Sequence, residues 1–353
     1  MQYYNPAITY LKALGIILMV IGHSGIEQHV KDFIYMFHMP LFFFASGFCF
    51  KDKNLSSPKL YVQNKLKNIW WPYVKWGLLF LLLHNLLFHL NVYNDQYGYK
   101  ESVSHLYNLS EFRHIAYVIV FKMQGAEQLL GGYWFLNALF FGSIISWITI
   151  RYIRNPLSGG GIILLCICTI LNKTCYSLPF FELQTQAFSA ALLIVIGYAF
   201  AKFKIKPFNN WQIVLVLILT LVGSFFRNNM EMALVSYSNK IFAPYLLIAT
   251  LATWCFYSLF EKINTAQGTY TNILNYIGKN TLTILTWHFL TFKIVSLVII
   301  SIYDLPIARL AEFPVITEYS KQGWWIAYFF VAITTCCGLI YFNGWIKNNW
   351  LKL

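Results

Sequence analysis

"FIYMFHMPLFFFASGFCF", residues Phe33 to Phe50, is a run in which only His38 and Ser46 carry a clearly polar side chain. Such a run reads as a membrane-spanning segment. An imidazole in hydrocarbon must find a partner or cost free energy, so the presence of His38 needs a reason.

The rest of the chain extends that reading. Of 353 residues, 58% are hydrophobic and only 11% charged, with 31 Phe, 24 Tyr and 12 Trp. This is the composition of a membrane protein. Apolar runs separated by short polar clusters occur near 8–23, 33–50, 70–90, 132–150, 160–171, 185–200, 211–226, 241–260, 280–302 and 324–346. The expected fold is all-α and polytopic, about ten transmembrane helices forming one bundle and one domain over residues 1–353. Lys12 is followed by an apolar run ending in "GHSG", not a small-residue cleavage site, so the first span is expected to be retained.

The net charge of +13 raises the possibility of a nucleic-acid partner, but its distribution argues against one. With the N-terminus cytoplasmic, the inner segments (51–69, 151–159, 201–210, 261–279, 347–353) hold 14 Lys or Arg in 64 residues, and the outer segments 9 in 98. That is the positive-inside bias, and it places both termini in the cytoplasm. The seven cysteines show no CxxC spacing, so neither a zinc site nor a disulfide framework is indicated, and no metal is expected. "SEFRHIAYVIVFKM" in the 91–131 segment reads as a surface-lying helix.

All 13 acidic residues fall in expected loops. A carrier coupled to protons or ions usually keeps a carboxylate near the bilayer midplane, and this chain shows none there. The ionisable groups within spans are Lys12, Lys75, Lys293 and the histidines His23, His38, His84, His89 and His288. His23 closes the first span, His38 lies early in the second, and the connection "GIEQHVKD" is short enough to make them neighbours at similar depth. His84 and His89 belong to the same outer level. Lys12 and His23 are eleven residues apart, nearly three helical turns, so they share a face about 16 Å apart. Gly15 and Gly22 add a small-residue strip open to a helix or a narrow ligand. In the ninth span, His288 and Lys293 are expected to face the bundle interior, because lipid exposure of the lysine would cost ~2.5 kcal/mol or more.

"LKALGIILMVIGHSG" followed by "FIYMFHMPLFFFASG" resembles the opening of the acyltransferase-3 family of integral membrane acyltransferases, in particular its fucose 4-O-acetylase-like branch. "GGYWFLNALF", "IGYAFAK" and "NYIGKNTLTILTWHFL" resemble later segments of that family in the same order. The resemblance departs at "NKLKNIWWPY", where Lys65 and Lys67 stand in place of an Arg-x-x-Arg, and at Lys12, where many members have Arg.

The resemblance implies a membrane-bound O-acetyltransferase. It would move an acetyl group from cytoplasmic acetyl-CoA to a hydroxyl of a sugar or glycan, in a bacterial inner membrane, and modify a cell-surface or secreted polysaccharide. A thioester is already activated, so the enzyme must remove the hydroxyl proton and stabilise an oxyanion. His23 and His38 are the candidate catalytic pair. Lys12, Lys65 and Lys67 are the candidate cofactor-binding residues, and Trp134, Asn137, Asn280 and His288 the supporting ones. The alternative classes are a glycan or lipid-linked sugar flippase without acyl chemistry, and a glycan polymerase.

Overall fold

The computed structural model describes residues 5–99, 101–125, 127–152, 161, 163, 176–177, 182–183, 186–226, 239–263 and 268–349. Helix α1, Pro6–His23, begins where the Asn5 side chain accepts from the Ile8 N–H at 3.4 Å and Pro6 takes the first helical position. It ends at Gly25, whose φ of +80° turns the chain in the left-handed region that favours glycine.

The stretch Phe33–Phe50 is not one helix. Helix α2, Gln28–Tyr35, stops, and α3, His38–Phe48, starts anew after Met36 and Phe37. Pro40 lies in the first turn of α3, where its missing N–H has no intrahelical partner to lose. His38 is therefore the first residue of a half-helix, and the expected continuous span is corrected to a broken one. Broken helices at membrane depth are tolerated where protein or a cavity surrounds them.

Helix α4, Pro58–Lys65, runs through a π-type turn, Leu66–Trp70, into α5, Trp71–His89. Helix α6, Leu109–Tyr117, opens with a capping box between Asn108 and Glu111. A tight turn over Gln128–Tyr133 leads into α7, Trp134–Tyr152. A two-residue antiparallel pair, Tyr176–Ser177 with Glu182–Leu183, precedes α8, Gln186–Lys202, and α9, Asn210–Phe225. Then follow α10, Asn239–Ile263; α11, Thr269–Lys279; α12, Thr281–Ile302; and α13, Trp325–Asn349.

Five helical segments among the described residues are long and apolar enough to cross a membrane: Pro6–His23, Gln128–Tyr152, Phe242–Ile263, Thr281–Ile302 and Thr317–Ile346. Helices α8 and α9 are shorter apolar ones. The run 160–171 lies outside the described residues apart from two positions. The chain is thus a largely helical, multi-pass membrane protein.

Close helix contact is made by glycine. Gly47 on α3 rests against the Ile194 carbonyl of α8, and Gly197 on α8 rests against the Phe44 carbonyl of α3, so that a Cβ at either position would collide with backbone. Small residues at such crossings let the two backbones touch, which is how helices pack where hydrocarbon supplies no hydrophobic drive. The same crossing fixes α3, and with it His38. Gly15 and Gly22 have the same kind of role, facing Phe42 and Tyr35 respectively. The small-residue strip therefore admits packed side chains and does not line the cavity described next.

Candidate active site

Three helices bring three histidines to one level. His23 is the last residue of α1, His288 lies in the second turn of α12, and His38 opens α3. His23 Nδ1 is 3.2 Å from His288 Nε2, and the two rings stack with centroids 5.4 Å apart. His288 Nδ1 in turn faces the carbonyls of Ile284 and Leu285 at 3.1 and 3.0 Å.

That pattern assigns the protons. His288 Nδ1 faces only acceptors and so carries its hydrogen, which leaves Nε2 of the neutral ring as an acceptor. His23 Nδ1 must then donate to it. The outcome is a His23 ring whose other nitrogen, Nε2, holds a free lone pair, which is the form a general base needs.

His38 Nδ1 lies 3.0 Å from the Ile34 carbonyl, which also accepts from the Phe37 N–H at 3.3 Å where α2 ends. This answers what keeps a histidine in that run. Tyr35 touches both neighbours: its ring centroid is 4.8 Å from that of His38 and 6.4 Å from that of His23, and its hydroxyl donates to the Gly22 carbonyl at 3.3 Å. His23 and His38 are neighbours, as the short connection requires, but the hydrogen-bond partner of His23 is His288.

A cavity of about 270 Å³ approaches this cluster from the Lys12 end of α1. Ile8, Lys12, Ile16 and Met19 form its α1 wall, recurring at helical spacing on the face that leads to His23. Its polar lining, Lys12, Ser46, Cys49, Asn68 and Thr281, lies away from the histidine level along the same helices. Its apolar lining includes Met39, Phe135 and Leu285. The π-type turn that interrupts α4 and α5 presents Asn68 and Ile69 to it, a local geometry often found at functional sites.

The other sequence-derived candidates divide. Lys12 lines the cavity. Lys65 is half-buried at the end of α4, its ammonium 5.2 Å from the Tyr61 ring centre, and Lys67 is exposed; both flank Asn68 without lining the cavity. Burial pushes the Lys65 ammonium down to about 8. Asn137 is buried and donates from Nδ2 to the Met123 carbonyl at 3.3 Å, while Trp134 is half-buried at the start of α7. Asn280 caps the start of α12, its side chain donating to the Tyr276 carbonyl at 2.8 Å, eight residues or about 12 Å along the helix from His288. Asn137 and Asn280 each bond a backbone carbonyl of the scaffold.

His288 and Lys293 are buried, at 0% and 3% exposure, which meets the expectation that they face inward. Lys293 donates from Nζ to the Glu312 carbonyl at 2.6 Å, beyond the histidine level. His84 and His89 do not join the triad. His89 is exposed, whereas His84 is buried with Nδ1 3.1 Å from the Glu127 carboxylate and Nε2 3.0 Å from the His105 carbonyl. Glu127 is 1% exposed, so a buried carboxylate exists where sequence reasoning placed an ordinary loop residue. Among the described residues no group of three His, Cys, Asp or Glu side chains forms a metal cage.

The helical bundle thus holds an apolar shaft that leads toward a hydrogen-bonded histidine pair. The chain belongs to the acyltransferase-3 family: the family's sequence model, described as an acyltransferase domain, matches residues 5–344. It is a membrane acyltransferase. No curated protein and no solved structure matches the chain.

Proposed function

We propose that the chain is an O-acetyltransferase of a bacterial inner membrane, of the fucose 4-O-acetylase-like branch, that transfers an acetyl group from acetyl-CoA to a hydroxyl of a glycan. The observation that carries this reading is the alignment of the Lys12-to-Met19 cavity wall with the His23–His288 pair on one helix face. Acetyl-CoA enters from the cytoplasm, to which the positive-inside bias assigns the Lys12 end and both termini, within a bundle of about ten spans. The charged nucleotide stays near Lys12, Lys65 and Lys67, and the pantetheine arm follows the cavity. The glycan arrives from the opposite side.

In the transfer, His23 Nε2 takes the proton of the acceptor hydroxyl as its oxygen attacks the thioester carbonyl carbon. The new C–O bond forms, the C–S bond breaks, and the departing coenzyme A thiolate takes the proton back from His23. His288 holds His23 in the required tautomer, and His38 borders the same site through Tyr35.

A carrier reading would draw on the buried His84–Glu127 pair. Transfer is preferred because the cavity lines up with the three-histidine cluster and not with that pair. The purified chain, given acetyl-CoA and the deacetylated glycan of a deletion strain, should release coenzyme A and add 42 mass units to the glycan per acetyl group. Movement of glycan without coenzyme A release would establish the carrier instead, and a change in chain length without acetyl gain a polymerase.

A further inference from the structure

The histidine cluster has an open side that is not the shaft. His38 and His288 are buried, at 5% and 0% exposure, whereas His23 keeps part of its surface exposed. His23 does not line the cavity that rises from Lys12, so its exposed part is reached from elsewhere. Beside it on α2 stand two further partly exposed residues, Tyr35 and, one helical turn earlier, Lys31. The Tyr35 ring meets the His23 ring edge-on with centroids 6.4 Å apart, and the Lys31 ammonium lies 5.1 Å from the centre of the Tyr35 ring. A cation is thus held one aromatic ring away from the base, close enough to act on it electrostatically.

Among the described residues no carboxylate forms an ion pair with Lys31. Glu27, one turn before it, contributes its backbone carbonyl to the Lys31 N–H, and the Asp32 carboxylate accepts from the Gln28 side chain. The Tyr35 ring fixes the position of the ammonium and leaves N–H donors of that group for another acceptor. Helix α2 follows the end of α1 at which His23 stands, so this cation faces the side from which the glycan arrives.

We propose that Lys31 is a specificity-determining residue that binds an anionic substituent of the acceptor, a carboxylate or a phosphate, so that the acceptor is an acidic glycan. The inference rests on the glycan-acceptor reading above. An anion seated at Lys31 draws the neighbouring sugar hydroxyl across Tyr35 to the exposed side of His23, where the proton is taken. Charge-assisted contacts of an ammonium with such oxygens are the stronger class of hydrogen bond, and a neutral sugar forgoes them.

The test uses the purified full chain, acetyl-CoA and two forms of the deacetylated glycan of a deletion strain: intact, and with its carboxylates reduced to alcohols and its phosphates removed. Coenzyme A release gives the KM for each form. The wild-type KM should be about fivefold lower for the intact glycan, the upper end for a partly exposed ion pair. Lys31→Ala should abolish that difference by raising the KM for the intact glycan, and Lys31→Arg should keep it. Lys31→Gln, which retains most of the stem over Tyr35, gives the same comparison should Lys31→Ala fail to fold. A glycan without anionic groups, or a wild-type KM equal for both forms, overturns the proposal while acetyl transfer stands. A folded Lys31→Ala that keeps the wild-type difference also overturns it and leaves Lys31 as a contact for lipid headgroups. If wild type releases no coenzyme A with the intact glycan, the transfer reading fails and the role of Lys31 falls with it.

Discussion

His23 and His288, separated by 265 residues in sequence, meet at 3.2 Å between Nδ1 and Nε2. The bond is directional because both carbonyls at His288 Nδ1 belong to its own helix and fix that ring's hydrogen. His288 is therefore a positioning residue, and its contribution is a choice of tautomer in another ring. A neutral hydrogen bond of this kind is worth ~1 kcal/mol.

Loss of His288 should accordingly lower the rate and leave donor binding in place. His288→Ala is expected to reduce kcat by about fivefold or more, with the KM for acetyl-CoA unchanged. His288→Gln, whose side-chain oxygen can accept from His23 Nδ1, should recover part of the loss. Steady-state kinetics of the two variants decide the matter: equal activity in both would show that the His288 nitrogen is not what His23 needs.

The half-buried Lys65 gives the reading a pH signature. Its ammonium is pushed down to about 8 by burial, so it is charged below that pH and loses its proton above it. If it holds the phosphates of the donor, the KM for acetyl-CoA should stay flat to about pH 7.5 and rise as pH passes through 8. Lys65→Arg, which keeps its charge throughout this range, should flatten the profile. A wild-type KM independent of pH between 7 and 9 would remove Lys65 from donor binding.

What the sequence could and could not reveal follows from the range of the interactions involved. The helical character of the chain is legible because hydropathy is local, although five segments and not ten are long and apolar enough to span among the described residues, and the inward facing of His288 and Lys293 is legible because lipid exposure would be costly. The break at Met36 and Phe37 was not, since both residues are apolar and neither is a helix breaker. Pro40 was the available signal, as proline prefers a helix's first turn. The partner of His23 is hidden by sequence distance, although His288 itself stands out as an ionisable group in an apolar run. Asn137 and Asn280 lie in motifs that resemble the family's, but the carbonyls they bond, Met123 and Tyr276, are choices of packing and capping. Glu127 looked like a loop carboxylate because its partner, His84, lies on another helix.

The reciprocal glycine contact predicts a structural failure distinct from a catalytic one. Gly47→Ala or Gly197→Ala sets a methyl against a backbone carbonyl that cannot rotate away. Overpacking of this kind costs ~1–3 kcal/mol, and here it would also push α3 away from α8. Thermal unfolding of the detergent-solubilised variants should shift several degrees downward, with loss of activity following from displacement of His38. Unchanged stability in both would mean that the two helices are not in such close contact.

Membrane orientation can be read by thiol labelling of intact cells. Single cysteines replacing Ser57 and Ser104, in a background whose native cysteines are removed, report on segments 51–69 and 91–131. The lysine-rich segment should be cytoplasmic and the other external. An impermeant maleimide should therefore label at 104 and not at 57. Labelling only at 57 would invert the topology and require acetyl-CoA to approach from the other side.

His23 and His38 should differ in how much they matter, and the hydrogen bonds say why. His23 is held by His288 with its Nε2 lone pair free, whereas His38 is tied to the Ile34 carbonyl at a helix break. Removing a general base costs 10²- to 10⁴-fold in rate, so His23→Ala should insert at wild-type level and lose transfer by about that factor. His38→Ala should also lose most transfer, but less severely, because the base remains and only its surroundings change. His38→Asn provides the control, since its amide can still donate to Ile34 and restore the break without supplying an imidazole. Recovery of folding without activity in His38→Asn would assign His38 to the chemistry, and recovery of both would assign it to the helix break. Near wild-type acetyl transfer by His23→Ala, at equal expression, would show that the base lies elsewhere and that the three histidines are only packed together.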